Sequence, residues 1–280
     1  MKTGKEEIMR LVFLLAACAS IALVAMICVF LFGNGLPTIG KIGVTEFFLG
    51  ETWRPNNDLY GILPMILGSA YVTLGAIVVG VPIGILTAVF MARFCPDSMY
   101  RFLKPAVELL SGIPFVVYGF FGLVVMVPFI RDNIGGTGSS MLTASLLLDM
   151  MILPTLISVA EAALRAVPNS YYEGALALGA GHVRSVFFTI VPAAKSGIMA
   201  AIILGLGRAV GETMAVIMVA GNQARMPQGL LEGVRTMTTN IVIEMGYAAD
   251  MHRDALIATA AVGFFFFFFS IFLYLFSLSI

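Results

Sequence analysis

Six apolar runs of bilayer length decide what this chain can fold into. They cover residues 11–32, 62–92, 106–130, 141–163, 197–220 and 255–279. A helix rises about 1.5 Å per residue and needs about 20 apolar residues to cross a hydrocarbon layer roughly 30 Å thick. In lipid the backbone must satisfy its own hydrogen bonds, so such runs fold as helices. Only 11% of the 280 residues are charged and 60% are hydrophobic, with a mean hydropathy of +1.00; a soluble domain carries about 25% charged residues. The expected fold is all-α and integral to the membrane, six transmembrane helices forming one domain over 1–280. The formal net charge of zero gives no case for a nucleic-acid partner.

Several other classes fall away on motif chemistry. Leu15-Ala16-Ala17-Cys18 has the form of a lipoprotein cleavage box, but the apolar run continues well past Cys18, so an uncleaved first helix is expected. Residues 35–42 approach a phosphate-binding loop, yet position 42 is Ile, where a magnesium-holding hydroxyl is required. An ATPase is therefore not expected. Cys18, Cys28 and Cys95 lack metal or redox spacing, and His182 and His252 are far apart without an HExxH pattern. Neither a cofactor nor a metal is expected, and no paired catalytic set is visible.

The unusual residues are the charges inside the runs. Arg208 and Glu212 lie in the fifth, and each charge at a bilayer centre costs about 2.5–3.5 kcal/mol. At i and i+4 they are expected on one helix face, with Glu212 orienting Arg208 and holding its charge. Asp149 lies in the fourth run and is grouped with them as a pathway or gate residue, with a protonated buried acid as the alternative reading. Glu108 and Glu161 read as interfacial anchors or gate ion pairs. Gly207 and Gly211 are spaced for close helix packing.

Topology follows from Lys and Arg. One side of the membrane receives Lys2, Lys5, Arg10, Arg93, Arg101, Lys104, Arg165, Arg184 and Lys195; the other receives Lys41, Arg54, Arg131, Arg225, Arg235 and Arg253. By the positive-inside rule both termini and segment 164–196 are expected to be cytoplasmic, with external loops at 34–61, 131–140 and 221–254. Trp53 is expected as an interfacial aromatic, and Thr236, Thr238, Thr239 and Asn240 as candidates for the external mouth. The run at 264–269, six phenylalanines, reads as lipid-facing bulk. Segment 164–196 is too polar to span. Ser170 and Glu173 have capping-box spacing, so one helix is expected from Ser170 to about Phe188, ending before Pro192.

That segment resembles the EAA motif of ATP-binding-cassette importer permeases. Glu173, Ala175, Gly179 and Pro192 fall on the motif's positions, while Gly174, Thr189 and Val191 replace Ala, Ile and Leu. The stretches 60–69, 111–119, 151–155 and 207–214 resemble the permeases of phosphate-specific importers. The stretch 235–247 is similar to the C-type member of their permease pair. Phe115 departs from that pattern, which has a small residue there, and Asp149 replaces an apolar one.

The resemblance implies a type I importer permease fold with a cytoplasmic coupling helix between helices four and five, in the bacterial inner membrane. Its ATPase-coupling residues would be Glu173, Gly174, Ala175, Gly179 and Pro192. It also implies a heterodimer with a second homologous permease, two copies of a cytoplasmic ATPase and an extracytoplasmic phosphate-binding protein. Permeases for molybdate, tungstate or sulfate are the nearest alternative, and an ion-coupled carrier is a more distant one.

Overall fold

A computed structural model describes residues 4–278. Lys2 lies outside the described residues, as do the side chains of Lys5, Phe267 and Phe269. The first helix, α1 (Gly4–Ile42), outruns the C-terminal end of the expected span, residue 32, by ten residues. Residues 34–42, read above as the start of a loop, are its last turns. The reason is packing: at Gly35 the helix meets α14 (Asp250–Leu278) so closely that a Cβ would stand 3.1 Å from Ala261 Cβ.

A small outer lobe follows, made of α2 (Val44–Leu49) and a two-stranded hairpin, β1 (Trp53–Arg54) paired antiparallel with β2 (Leu59–Tyr60). Trp53 is buried here, edge-on to Tyr60 at 5.9 Å, and its Nε1–H donates to Glu244 Oε2 at 2.8 Å. It anchors a core with Phe47, Ile62, Met65 and Leu256, which corrects its expected interfacial position. A buried indole needs a partner for its N–H, and Glu244 supplies one.

The second crossing is α3 (Leu63–Val89), prolonged by a π-helical turn, Phe90–Phe94. The third is displaced from its expected position at 106–130. Residues Asp97–Gly112 form a separate amphipathic helix, α4, whose Tyr100, Leu103 and Val107 pack on Met91, Leu153 and Ile157 while Phe102 and Leu109 point outward. Pro114 forces the break. It drives Ile113 out of the helical region, to ψ 128°, and the chain re-enters helix only at Phe115. The crossing then runs through α5 (Phe115–Phe121), a π-helical turn and α6 (Val127–Asn133).

Helix α7 (Met141–Ala166) is the most buried of the crossings. Ser140 caps it by accepting from Thr143 N. Against it lies a stripe of α3: Gly75 faces Ser145, Gly80 faces Asp149 and Gly84 faces Leu156, each with no room for a side chain. Small residues let two helix backbones approach where lipid gives no hydrophobic drive.

The expected single helix from Ser170 is two pieces, α8 (Asn169–Ala177) and α9 (His182–Ser185), the latter continuing through a π-helical turn into α10 (Val191–Ala193). Its N-cap is Pro168, with no side-chain cap, so the Ser170/Glu173 capping box is not formed. Then α11 (Lys195–Gly211) turns away by 69° from the preceding helix. The fifth crossing does not continue to 220 as one helix. It stops at Gly211 and restarts as α12 (Met214–Val219). After α13 (Met237–Glu244), α14 closes on α1. Among the described residues, four helices are long and apolar enough to cross a membrane, and the bent pair around residue 194 makes a fifth. At 29 residues, α14 has the length for another.

At Gly68 in α3 an added Cβ would collide with the Arg235 carbonyl oxygen, which is backbone and cannot swing aside. Gly68→Ala is expected to destabilise the outer lobe by about 1–3 kcal/mol. Trp53, the single tryptophan, reports this directly: its emission should shift to the red and the melting temperature should fall.

Candidate functional site

Arg208 sits in the last turn of α11, where three chain segments converge. From α7, Thr155 Oγ1 accepts from Arg208 Nη1 at 3.0 Å. From the start of α5, the Phe115 ring lies under the guanidinium, 4.8 Å from centroid to Cζ. Such a cation–π contact contributes about 0.5–2 kcal/mol, more as water is excluded. Arg208 Nε is buried and makes no hydrogen bond. Gly205, one turn earlier, lets α11 settle on Leu156 and so brings Arg208 to α7.

The expected Arg208–Glu212 pair is not formed. Among the described residues, no carboxylate lies within ion-pair distance of Arg208. The physical reason is the break after Gly211. Glu212 adopts an extended backbone, ψ 125°, so the i, i+4 geometry is lost. Its carboxylate turns to the start of α12 and Oε1 accepts from Ala215 N at 2.9 Å. An acid at a helix N-terminus satisfies a donor that has no partner within the helix. Glu212 thus shapes the break rather than orienting Arg208.

Asp149 is also drawn away from Arg208. Its buried carboxyl is pressed against Gly80 in the α3–α7 seam, with Oδ1 unbonded and, among the described residues, no cation within ion-pair distance. A buried polar group without a partner is costly, and Asp149 is such a group in this seam.

Glu161 is the centre of the largest ionic cluster, as an ion-pair reading of that residue requires. Almost fully buried, it takes Lys104 Nζ at 2.7 Å, Arg165 Nε at 2.6 Å and the Tyr100 hydroxyl at 2.7 Å. The hydrogen bond to Glu161, then burial, holds the Tyr100 phenol above its ordinary pKa. Arg165 also donates to the Met91 carbonyl, and Arg93 donates to the Leu164 and Val167 carbonyls at the end of α7. The cluster ties α4, α7 and the end of α3 into one body. Glu108 is peripheral and exposed, 3.9 Å from Lys104.

Beyond α7 the motif residues are displayed outward: Glu173, Gly174, Gly179 and Pro192 are exposed and Ala175 is half-buried. Gly179 has φ +85°, a left-handed conformation that costs a side chain dearly. There the chain closes α8, with Ala180 N donating to Ala175 O. The Tyr172 hydroxyl and His182 Nδ1, 2.7 Å apart, staple α8 to α9, and His182 stacks edge-on to Phe94 at 4.7 Å.

Thr236 and Thr239 are buried and form a capping box at the start of α13, and Asn240 is buried beneath Arg235. These three are structural rather than open at an external mouth. Thr238 remains half-buried. Sequence reasoning missed Phe115 and Thr155. The available signals were the Gly112-Ile113-Pro114 break and the Pro154-Thr155 pair.

The fold and this arrangement define a class, the permease subunits of binding-protein-dependent importers. A family model described as binding-protein-dependent transport system inner membrane component matches residues 80–279, and the chain belongs to that family. It is 40% identical over 241 residues to the probable ABC transporter permease protein YqgH of Bacillus subtilis (strain 168), covering 84% of this chain and 78% of the relative. It is 33% identical over 273 residues to the phosphate transport system permease protein PstC of Xylella fastidiosa (strain 9a5c), covering 90% and 84%. Among solved structures, an inward-facing MetNI methionine ABC transporter matches with TM-score 0.54 at 22% identity, covering 75% of this chain and 90% of that one. An amino acid ABC transporter matches with TM-score 0.55 at 18% identity, covering 78% and 94%. The fold is that of type I importer permeases. The chain is a transport subunit, not an enzyme, and its family works with an ATPase and a substrate-binding protein.

Among the described residues Asp149 meets no cation, so a charge on it has no ion-pair partner to hold. Asp149→Asn keeps the shape and is expected to leave substrate uptake within about twofold of the parent; a loss beyond tenfold would return Asp149 to the transport path.

Proposed function

We propose that the chain is a permease subunit of an ATP-driven importer of inorganic phosphate. The observation that carries this is its 30–33% identity, over most of its length, to phosphate transport system permease proteins PstC from several bacteria. A second homologous permease completes the path, two ATPase copies bind beneath, and a phosphate-binding protein delivers from outside. Both termini and segment 164–196 face the cytoplasm.

Arg208 contacts the anion in transit. A guanidinium stays charged and offers a planar fork that matches two phosphate oxygens. Its supports here are one hydroxyl and one ring, so no carboxylate competes with the passing anion. Contact with a single cation is weak enough to release the anion again. Glu212 holds the α11–α12 break that places Arg208 at a helix end.

Glu173, Gly174, Ala175, Gly179 and Pro192 form the surface that docks on the ATPase, with the Gly179 turn setting the angle between α8 and α9.

Reconstituted with its partners, the parent should take up labelled phosphate. Excess molybdate, tungstate or sulfate should compete poorly, whereas strong competition by one of them would reassign the substrate. Arg208→Gln should reduce uptake by at least about tenfold, the loss of one charge-assisted contact, with the complex still assembled. Gly179→Val forces a β-branched residue into a left-handed turn, costing roughly 1–3 kcal/mol. It should uncouple ATP hydrolysis from uptake or release the ATPase, and unchanged coupling would refute the docking role.

A further inference from the structure

We propose that Phe115 is a positioning residue for Arg208: its ring holds the guanidinium by the face and so keeps the hydrogen-bonding edge open for an oxyanion. This rests on the placement of Arg208 in the anion path.

The argument comes from what surrounds the cation. Thr155 takes one N–H at 3.0 Å, the Phe115 ring covers one face at 4.8 Å, and Nε is buried without a hydrogen-bond partner. A guanidinium has five N–H donors in one plane and two faces perpendicular to them. A carboxylate partner would occupy the edge that an oxyanion needs. An aromatic ring attracts the same charge through its negative face and leaves the edge untouched. Ring and anion can therefore hold Arg208 together, and neither has to leave when the other arrives.

One further observation fits a platform. Phe115 is the first residue of α5, directly after the Pro114 break, so the same break that ends α4 sets where the ring starts.

The test is made on the assembled transporter in proteoliposomes. Phe115 is replaced by phenylalanines carrying one, two or three ring fluorines, which keep its shape but weaken its negative face. Maximal phosphate uptake is expected to fall stepwise, by about three- to tenfold across the series, with ATPase co-purification unchanged. Phe115→Trp and Phe115→Tyr should transport like the parent, and Phe115→Leu like the trifluorinated form. A flat response to fluorination, or Phe115→Leu equal to Phe115→Trp, overturns the proposal. Arg208→Gln measured in parallel separates the two possible failures. If it transports normally, the pathway role of Arg208 falls. If it is inactive while the fluorinated series stays flat, Phe115 alone is excluded.

Discussion

The seam between α3 and α7 is the contact on which the other helices depend. Gly75, Gly80 and Gly84 on one side leave the space that the side chains of Ser145, Asp149 and Leu156 on the other fill, so α7 packs directly on the α3 backbone. In lipid, apolar surface gains little by leaving one apolar surroundings for another, so close van der Waals fit has to supply the attraction. Once α7 is fixed in this way, its remaining faces serve other elements. Gly205 brings α11 onto Leu156, and Glu161 collects α4 and the end of α3. Arg208 meets Thr155 because α7 already stands in place.

The second organising device is interruption. Helices stop at Gly112–Pro114, at Gly179 and at Gly211–Thr213, and each stop positions a group that matters. The first sets Phe115, the second turns the exposed motif segment, and the third leaves Arg208 at a helix end. Non-helical backbone at membrane depth is tolerated only where protein buries it or satisfies its polar groups. Glu212 does this for the third stop by accepting from Ala215 N.

How much of this was legible in the sequence depended on the range of the forces involved. Apolar run length is a local property, and it located α1, α3 and α7 correctly. The resemblance of segment 164–196 to the EAA motif was recognisable because the motif positions lie close together in sequence. What failed were inferences that assumed helix continuity. Pro114 and the pair Gly211-Glu212 both interrupt apolar stretches, and hydropathy does not register a change of backbone direction inside an apolar run. The pairing of Arg208 with Glu212 failed for that reason, since i, i+4 spacing places two residues together only on an unbroken helix. Phe115 and Thr155 reach Arg208 from two other crossings, and no spacing rule connects residues 115, 155 and 208. Trp53 was misplaced for the same reason, because its partner Glu244 is 191 residues away.

The contact of α1 with α14 has a consequence for how the protein is made. Gly35 packs on Ala258 and Ala261, so the first helix finds this partner only after more than two hundred further residues have been synthesised. At roughly 5–20 residues per second, that is an interval on the order of 10–45 s. The long apolar surface of α1, from Ile8 to Phe30, is exposed in the finished chain as well. An undocked α1 therefore exposes, over Ile8 to Phe30, no more than the folded chain exposes. Helix α14 then acts as the clasp, and a chain halted before Ala255 would lack the surface on which Gly35 packs.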